Sequence, residues 1–293
     1  MLRRALPAVA LAGLLLIAAC GSDSSSADTT AGSTPVASTP TSAVAKPAVK
    51  LPASTPTSLQ TTVNTPGSGP QAEAGDIVVV DYVGVRSADG AEFDNSYDRG
   101  QPFPVKLGAG SVIQGWDQGL VGVQTGEQLQ LDIPTELAYG ETPQGDVIQP
   151  GDALSFVIDV RAVVPATTAA DQPQVTVTGA PNRDDLVVED LVVGTGPALQ
   201  DGQTAVLHLI AFRGDTGEQT FSTWADGQPV GFTYGADGGA PAGLVEGMKG
   251  MNVGGRRQLT VPYAEAFGSA DSSSLGIPEN TDAVFVIDLV AAY

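Results

Sequence analysis

Side chains that act as nucleophiles or hold metal ions are scarce in this chain of 293 residues. The single histidine, His208, lies inside the apolar run TAVLHLI, and the single cysteine, Cys20, lies near the N-terminus. No Ser-His-Asp or Cys-His arrangement can therefore be built in the first half of the chain, and thiolate or histidine-rich metal sites are excluded. Glu92 and Asp94 stand two apart in a predicted strand, a spacing too common to indicate a catalytic pair. The glycine-rich stretches GAGSVIQG and GADGGAPAG lack the lysine of a phosphate-binding loop.

A different kind of site is suggested by six aromatic residues that are spread over the predicted elements between residues 82 and 156. They could form an ordinary core, which their spacing alone favours, or they could line an apolar binding pocket. Their order relative to the surrounding motifs, given below, decides between the two. The residues are Tyr82, Phe93, Phe103, Trp116, Tyr139 and Phe156.

The elements that must position these side chains are mostly strands. Apolar residues recur at alternate positions in IVVVDYVGV, EQLQLDIP and ALSFVIDVRAV, with Gly, Pro and Asp between the runs. One short stretch has helical spacing, with Val112, Trp116 and Leu120 four apart, and Gly115 and Gly119 would let it lie close to a sheet. The pattern predicts an α+β fold, a curved antiparallel β-sheet wrapped on one short α-helix.

The folded part of the chain contains an internal repeat. GSGPQAEAGDIVVVDYVGV, which begins at Gly67, aligns without gaps on GTGPALQDGQTAVLHLIAF, which begins at Gly194, and FVIDV is answered by FVIDL. The repeat predicts two tandem domains of one fold, residues 67–164 and 183–293. Residues 165–182, rich in small, polar and proline residues, form the predicted linker.

The N-terminal region has the features of an export signal followed by a tether. Two arginines precede an apolar run too short to span a bilayer comfortably, and IAAC, ending at Cys20, resembles the bacterial lipobox, whose cysteine is acylated. Residues 1–19 are thus a predicted lipoprotein signal peptide, and residues 20–66, rich in Ser, Thr, Pro and Ala, a predicted disordered tether. We expect an extracytoplasmic protein anchored to the bacterial cell membrane through lipidated Cys20. The net charge of −20 opposes nucleic-acid binding.

Residues 67–164 resemble FKBP-type peptidyl-prolyl cis-trans isomerases along essentially their whole length. The resemblance rests on the strand VDYVGV, the Phe93-Asp94 pair, and the elements PF, VIQGW, AYG and LSF, in the family's order. It favours a pocket over a mere core. The second domain is similar to the same family from LVVEDLVVGTG onward, in GMNVGGRRQLTVP and in its last strand.

The resemblance also implies roles for individual residues. Trp116 would form the floor beneath a substrate proline, the backbone N–H of Ile113 and the hydroxyl of Tyr139 would bind the peptide, and Asp94 would lie beside the rotating carbonyl. Gln144 stands where some members carry histidine. The implied catalytic residues are Tyr82, Asp94, Trp116, Tyr139 and Phe156, and the implied substrate-binding residues are Phe93, Phe103, Val112, Ile113, Val147 and Ile148.

The second domain departs from this pattern at the positions that carry polar groups. Aligned on the first domain, Leu244 replaces Trp116 and Ser222 replaces Asp94, which predicts a weak or inactive site. The remaining predicted replacements are Leu209 for Tyr82, Val230 for Phe103 and Phe267 for Tyr139, while Phe221, Ile277 and Phe285 match Phe93, Ile148 and Phe156.

The function implied by the resemblance is rotation of X-Pro bonds in unfolded or newly exported polypeptides. No cofactor or metal is expected, and macrolide inhibitors of the family are possible ligands. The alternative is a non-catalytic, surface-anchored module that binds proteins as a chaperone. A generic adhesive β-sandwich is set aside because it would not reproduce the order of motifs.

Overall fold

The computed structural model describes residues 45–235, 238, 240–267 and 275–293. The predicted signal peptide, Cys20 and the tether as far as residue 44 lie outside the described residues. Two antiparallel sheets of six strands follow one another along the chain, each with a short helix on one face. This confirms the predicted α+β fold with two tandem domains.

The sheet of the first domain has the order β1-β5-β6-β2-β3, and β4 also pairs with β2. Because β4 and β3 pair with successive halves of β2, one long strand carries both. The elements are β1 (Gln60–Thr65), β2 (Ile77–Arg86), β3 (Glu92–Asn95), β4 (Phe103–Lys106), α1 (Gln114–Gly119), β5 (Gln128–Ile133) and β6 (Leu154–Val164), with 3₁₀ turns at Tyr97–Arg99 and Thr135–Leu137.

The second domain repeats this sheet in the order β10-β8-β12-β11-β7, with β9 also paired to β8. A further short helix, α3, follows the strand that packs on the main helix. The elements are β7 (Val187–Val192), β8 (Thr204–Arg213), β9 (Gln219–Ser222), β10 (Val230–Thr233), α2 (Ala242–Gly247), β11 (Arg256–Val261), α3 (Tyr263–Ala266) and β12 (Ala283–Ala292), with a 3₁₀ turn at Ala169–Asp171 before them.

The short helix of each domain lies close to the sheet because its contact positions are glycines. A Cβ atom on Gly119 of α1 would come within 2.8 Å of Leu131 on β5. Gly247 of α2 faces Leu259 of β11 in the same way, with the added Cβ 2.5 Å away. Any larger residue would push helix and sheet apart, so these glycines set the depth of the inner face, the face of each sheet that the helix covers.

The predicted tether is wrong for residues 45–66, which are part of the first domain. β1 pairs with β5 in antiparallel register, and the side-chain amide of Gln130 bonds both backbone groups of Lys50. Lys46 forms ion pairs with Glu92 and Asp98. Every residue of β1 is exposed, so backbone hydrogen bonds hold this edge strand and leave no apolar pattern in the sequence. The first domain therefore begins before Gly67.

The linker of residues 165–182 packs on the outer face of the second sheet, the face away from the helix. Val175 and Val177 contact a buried cluster that includes Trp224 and Phe212. His208, fully buried, bonds Thr223 through Nδ1 at 2.9 Å. Its ring stacks on Trp224 at 4.1 Å, and burial lowers the pKa of His208. This histidine is therefore a structural residue of the outer face.

Candidate active site

Five of the six predicted aromatic side chains lie together on the inner face of the first domain. The ring of Trp116 lies 5.1 Å from that of Tyr82 and 5.2 Å from that of Phe156, both edge-on. Phe103 lies 6.0 Å from Tyr82, and Phe93 lies 5.6 Å from Phe156. Such edge-to-face packing is favourable for aromatic pairs and fixes the orientation of each ring.

Each ring comes from a different element, so the cluster depends on the whole fold. Tyr82 is on β2, Phe156 on β6 and Trp116 on α1, while β3 and β4 supply Phe93 and Phe103. Gly84 makes room for two of them, because a Cβ there would lie 2.7 Å from the ring of Phe156 and 2.8 Å from that of Phe93. A side chain at this position would push both rings out of place.

The cluster extends from the core to the surface. Trp116, Tyr82 and Phe156 are nearly buried, whereas Phe103 is 38% exposed. Tyr139, the sixth predicted aromatic residue, is 37% exposed and makes no ring contact with these five among the described residues. The indole N–H of Trp116 is buried and has no acceptor among the described residues. A buried donor without a partner is unfavourable, so the base of the cluster is suited to a ligand that brings a hydrogen-bond acceptor.

A polar triad borders the aromatic rings. The hydroxyl of Tyr82 donates to the carboxylate of Asp94 and accepts from Nη2 of Arg99 at 2.8 Å, and Arg99 also pairs with Asp94. The guanidinium carbon of Arg99 lies 5.5 Å from the centre of the Tyr82 ring. Burial, followed by the bond to Asp94, raises the pKa of Tyr82 to about 12. Tyr82 therefore remains a protonated donor at neutral pH.

Arg99 was missed by the sequence reasoning. It ends the 3₁₀ turn Tyr97–Arg99, which follows β3 and brings the guanidinium back to Asp94, five residues earlier. The order FDNSYDR contains both charges, but a five-residue spacing across a turn matches neither the period of a helix nor that of a strand. Only the turn's conformation brings the two together.

The start of α1 and the loop before β6 provide the remaining predicted residues. Ile113 is the N-cap residue of α1 in an extended conformation, and its backbone N–H makes no backbone hydrogen bond within the described part of the chain. Val112 and Ile113 pack on the core cluster from its edge. Val112 is therefore placed beside the rings, with the backbone N–H of Ile113 next to it.

The loop of residues 140–151 forms a short flap after Tyr139. Backbone bonds of 3.1 and 3.3 Å join Gln144 and Ile148, and Ile148 is buried in the core cluster. Val147 is half-buried, and its carbonyl accepts from Arg86 at 3.5 Å. Burial, followed by the charge of Asp94, raises the pKa of Tyr139. The flap thus holds Ile148 at the rings and leaves Gln144 exposed.

Strand pairing corrects one predicted equivalence in the second domain. Ser222 lies opposite Ile210 as Asn95 lies opposite Val83, so Ser222 corresponds to Asn95 and not to Asp94. The prediction was wrong because it placed an alignment gap between β8 and β9. The numbering difference between matching residues of the two domains in fact stays the same from β8 through β9.

The same pairing identifies what replaces the acid. Phe221 lies opposite Ala211 as Asp94 lies opposite Gly84, so a phenyl ring takes the register position of the carboxylate and Phe221 no longer matches Phe93. The replacement of Phe103 by Val230 is confirmed, because Val230 pairs with Leu207 just as Phe103 pairs with Val80.

The other second-domain residues lie where they were expected in the core. Leu244, Leu209, Phe285 and Ile277 are buried together on the inner face of the second sheet, and Phe267 packs at the edge of the same cluster. The tryptophan, the tyrosine hydroxyl and the carboxylate of the first site thus have apolar counterparts in the second.

In the part of the chain that the structure describes, no group of three or more His, Cys, Asp or Glu side chains is arranged to hold a metal ion. No helix found there is long and apolar enough to cross a membrane.

Both domains match the sequence profile of one enzyme family. Residues 69–161 and 196–290 each match the FKBP-type peptidyl-prolyl cis-trans isomerases, which together is more than half of the chain. The chain belongs to this family, whose members catalyse rotation about peptide bonds that precede proline.

Two sequence relatives agree with this assignment. An FK506-binding protein of Streptomyces anulatus is 51% identical over 98 residues, which are 33% of this chain and 79% of that protein. The peptidyl-prolyl cis-trans isomerase FKBP10 of Bos taurus is 34% identical over 233 residues, which are 80% of this chain but only 37% of that protein. The solved structure of FkpA from Escherichia coli is 39% identical, covers 40% of this chain and 52% of its own, and superposes with a TM-score of 0.34.

Proposed function

We propose that the first domain carries the isomerase activity of this chain and acts on proline-containing, extended segments of exported proteins. The observation that supports this most directly is the complete set of rings around Trp116 with the Tyr82, Asp94 and Arg99 triad at its edge. The second domain has the same fold without that set.

Rotation of an X-Pro bond needs no nucleophile. The barrier of about 18–20 kcal/mol comes from conjugation of the amide, which is lost as the bond twists. Water stabilises the charge separation of the planar amide more than that of the twisted one, so a site that excludes water and fits the twisted bond lowers the barrier. The buried rings of Trp116, Tyr82 and Phe156 provide such an environment.

Polar groups at the edge would orient the peptide. In this proposal the proline ring packs on Trp116, Ile113 donates its backbone N–H to a substrate carbonyl, and the Tyr139 hydroxyl binds another. Arg99 fixes the carboxylate of Asp94 beside the amide, so the charges that act on the rotating carbonyl are already oriented before the substrate arrives. Phe93, Phe103, Val112, Val147 and Ile148 would form the walls.

The test compares matched substitutions in the full chain. We expect Trp116→Leu combined with Asp94→Ser to lower kcat/KM for a Phe-Pro peptide by roughly tenfold or more, since both the floor and the fixed charge are lost. Leu244→Met, a volume-conserving change at the corresponding helix position of the second domain, should leave kcat/KM unchanged. Equal losses from the two substitutions would contradict the assignment of activity to the first domain. An inactive parent chain would favour the non-catalytic binding module.

We further propose that the chain is exported and anchored through lipidated Cys20. This rests on the sequence of residues 1–20, in which a basic start and an apolar run lead to IAAC. In the native bacterium, Cys20→Ala should move the protein from the membrane fraction to the soluble fraction and abolish incorporation of labelled fatty acid. Retention of both label and membrane association would refute the anchor.

A further inference from the structure

The outer faces of the two sheets meet in one buried apolar cluster. The first domain supplies residues of β2 and β6, and the second supplies residues of β8 and β12. Each buried member of the cluster is at most 8% exposed. Such a cluster has the composition of a core and not of a chance surface contact. Its buried members are Val79, Ala162, Val164, Val206 and Ala291, with Ile77, Val290 and Tyr293 packed around them.

The two halves of this cluster are the same positions of the repeat. Val79 pairs with Ala162 across β2 and β6, and Val206 pairs with Ala291 across β8 and β12. The Val-Ala pair of one domain therefore packs against the Val-Ala pair of the other. A patch that contacts its own copy is the signature of a two-fold symmetric dimer interface.

A shared irregularity turns these residues outward. The pairing of β2 with β6 shifts at Arg161, and that of β8 with β12 shifts at Val290. Each extra residue reverses the alternation, so Val160 faces the inner core whereas Ala162 joins the outer cluster. Both domains carry this bulge at the matching place.

The connection between the domains is held from both sides. The backbone N–H of Ala166 donates to Asp76 of the first domain at 2.8 Å. The next residue, Thr167, bonds Nε2 of His208 in the second domain, also at 2.8 Å. Two consecutive residues thus bind opposite domains, which leaves little freedom for a hinge there.

We propose that the second domain acts as a fused, dimer-like partner that supports the back of the isomerase sheet. β2 and β6 carry Tyr82 and Phe156 on their inner faces and Val79 and Ala162 on their outer faces. Covering the outer face therefore stabilises the strands that hold the aromatic rings. The second domain contributes to the active domain through this interface, whether or not it binds peptide itself.

The two tryptophans allow each domain to be followed separately in the full chain, because Trp116 lies in the first and Trp224 in the second. In a Trp224→Phe background, fluorescence reports unfolding of the first domain alone. We expect Val206→Asp, a substitution in the second domain, to lower the midpoint of this first-domain transition by roughly 5 °C or more. Adding Val79→Lys should restore part of the loss, since the two side chains share the cluster.

The matched control is Val188→Asp, which places the same acid on an exposed position of β7, away from the cluster. It should leave the first-domain midpoint unchanged. An unchanged first-domain midpoint in Val206→Asp would overturn the proposal. This holds even if the substitution unfolds the second domain, because the proposal requires that loss of the second domain lowers the stability of the first. Unfolding does not require catalysis, so an inactive parent chain would refute the isomerase proposal without affecting this test.

Discussion

Adding a single methyl group at Gly84 should damage both the stability and the activity of the first domain. In Gly84→Ala the new Cβ would lie 2.7 Å from Phe156 and 2.8 Å from Phe93. Ordinary carbon contacts are about 3.5–4.0 Å, so the two rings must together give way by the better part of an ångström. Overpacking of this kind costs about 1–3 kcal/mol, which for a domain of this size lowers the unfolding midpoint by roughly 4–8 °C per kcal/mol.

The rings that must move are those of the candidate site, so kcat/KM should fall as well, by roughly tenfold or more, since small misplacements of binding groups are costly. The assay pairs thermal unfolding, followed by Trp116 fluorescence in a Trp224→Phe chain, with isomerisation of a Phe-Pro peptide. Ala211, which occupies the matching register position of the second domain, supplies the control, because Ala211→Gly should not affect activity. Wild-type stability and kcat/KM in Gly84→Ala would refute this account of the pocket.

Three further predictions concern titratable side chains. Arg99→Met should lower kcat/KM more than it lowers substrate affinity, because Asp94 loses the partner that fixes it; a change in KM alone would contradict this role. The pKa of Tyr82 in the folded protein is raised to about 12, so the stability contributed by protonated Tyr82 is complete below pH 10 and is lost between about pH 10 and 12. In denaturant titrations across this pH range, Tyr82→Phe should lose less stability than the wild-type chain. Asp190→Asn removes the bidentate partner of the buried Arg257 and should lower the free energy of unfolding of the second domain by about 1–3 kcal/mol. Trp224 fluorescence during denaturant unfolding measures this change, and an unchanged free energy would mean that the pair is not stabilising.

The sequence predicted the convergence of the rings well because each motif combines a residue type with a place on a strand or helix. Tyr82, Phe156 and Trp116 follow the alternation of their strands or the four-residue spacing of α1, and the order of motifs decided that these residues share one face. Patterns of this kind can be read from a sequence because positions buried in the core must carry apolar side chains.

The features that were missed depend on backbone geometry, which leaves little trace in residue types. β1 is exposed along its whole length, so its place in the sheet follows from hydrogen bonds to β5 and not from an apolar stripe. Arg99 reaches Asp94 only because a 3₁₀ turn intervenes. The bulge at Arg161 reverses the alternation of β6, so strict alternation, which would put Ala162 on the same face as Val160, does not hold there.

The two domains show which positions of the repeat stay alike when the polar groups of the inner face differ. Gly119 and Gly247 are both retained, because the helix cannot otherwise reach the sheet. The Val-Ala pair of the outer face is also retained in both copies, although it touches no part of the pocket. Trp116 and Asp94, by contrast, have become Leu244 and Phe221, both of which suit a core better than a peptide. A stable pair of domains needs the apolar outer-face residues in both copies, but it does not need the polar groups of the inner face, and the differences between the two domains follow this division.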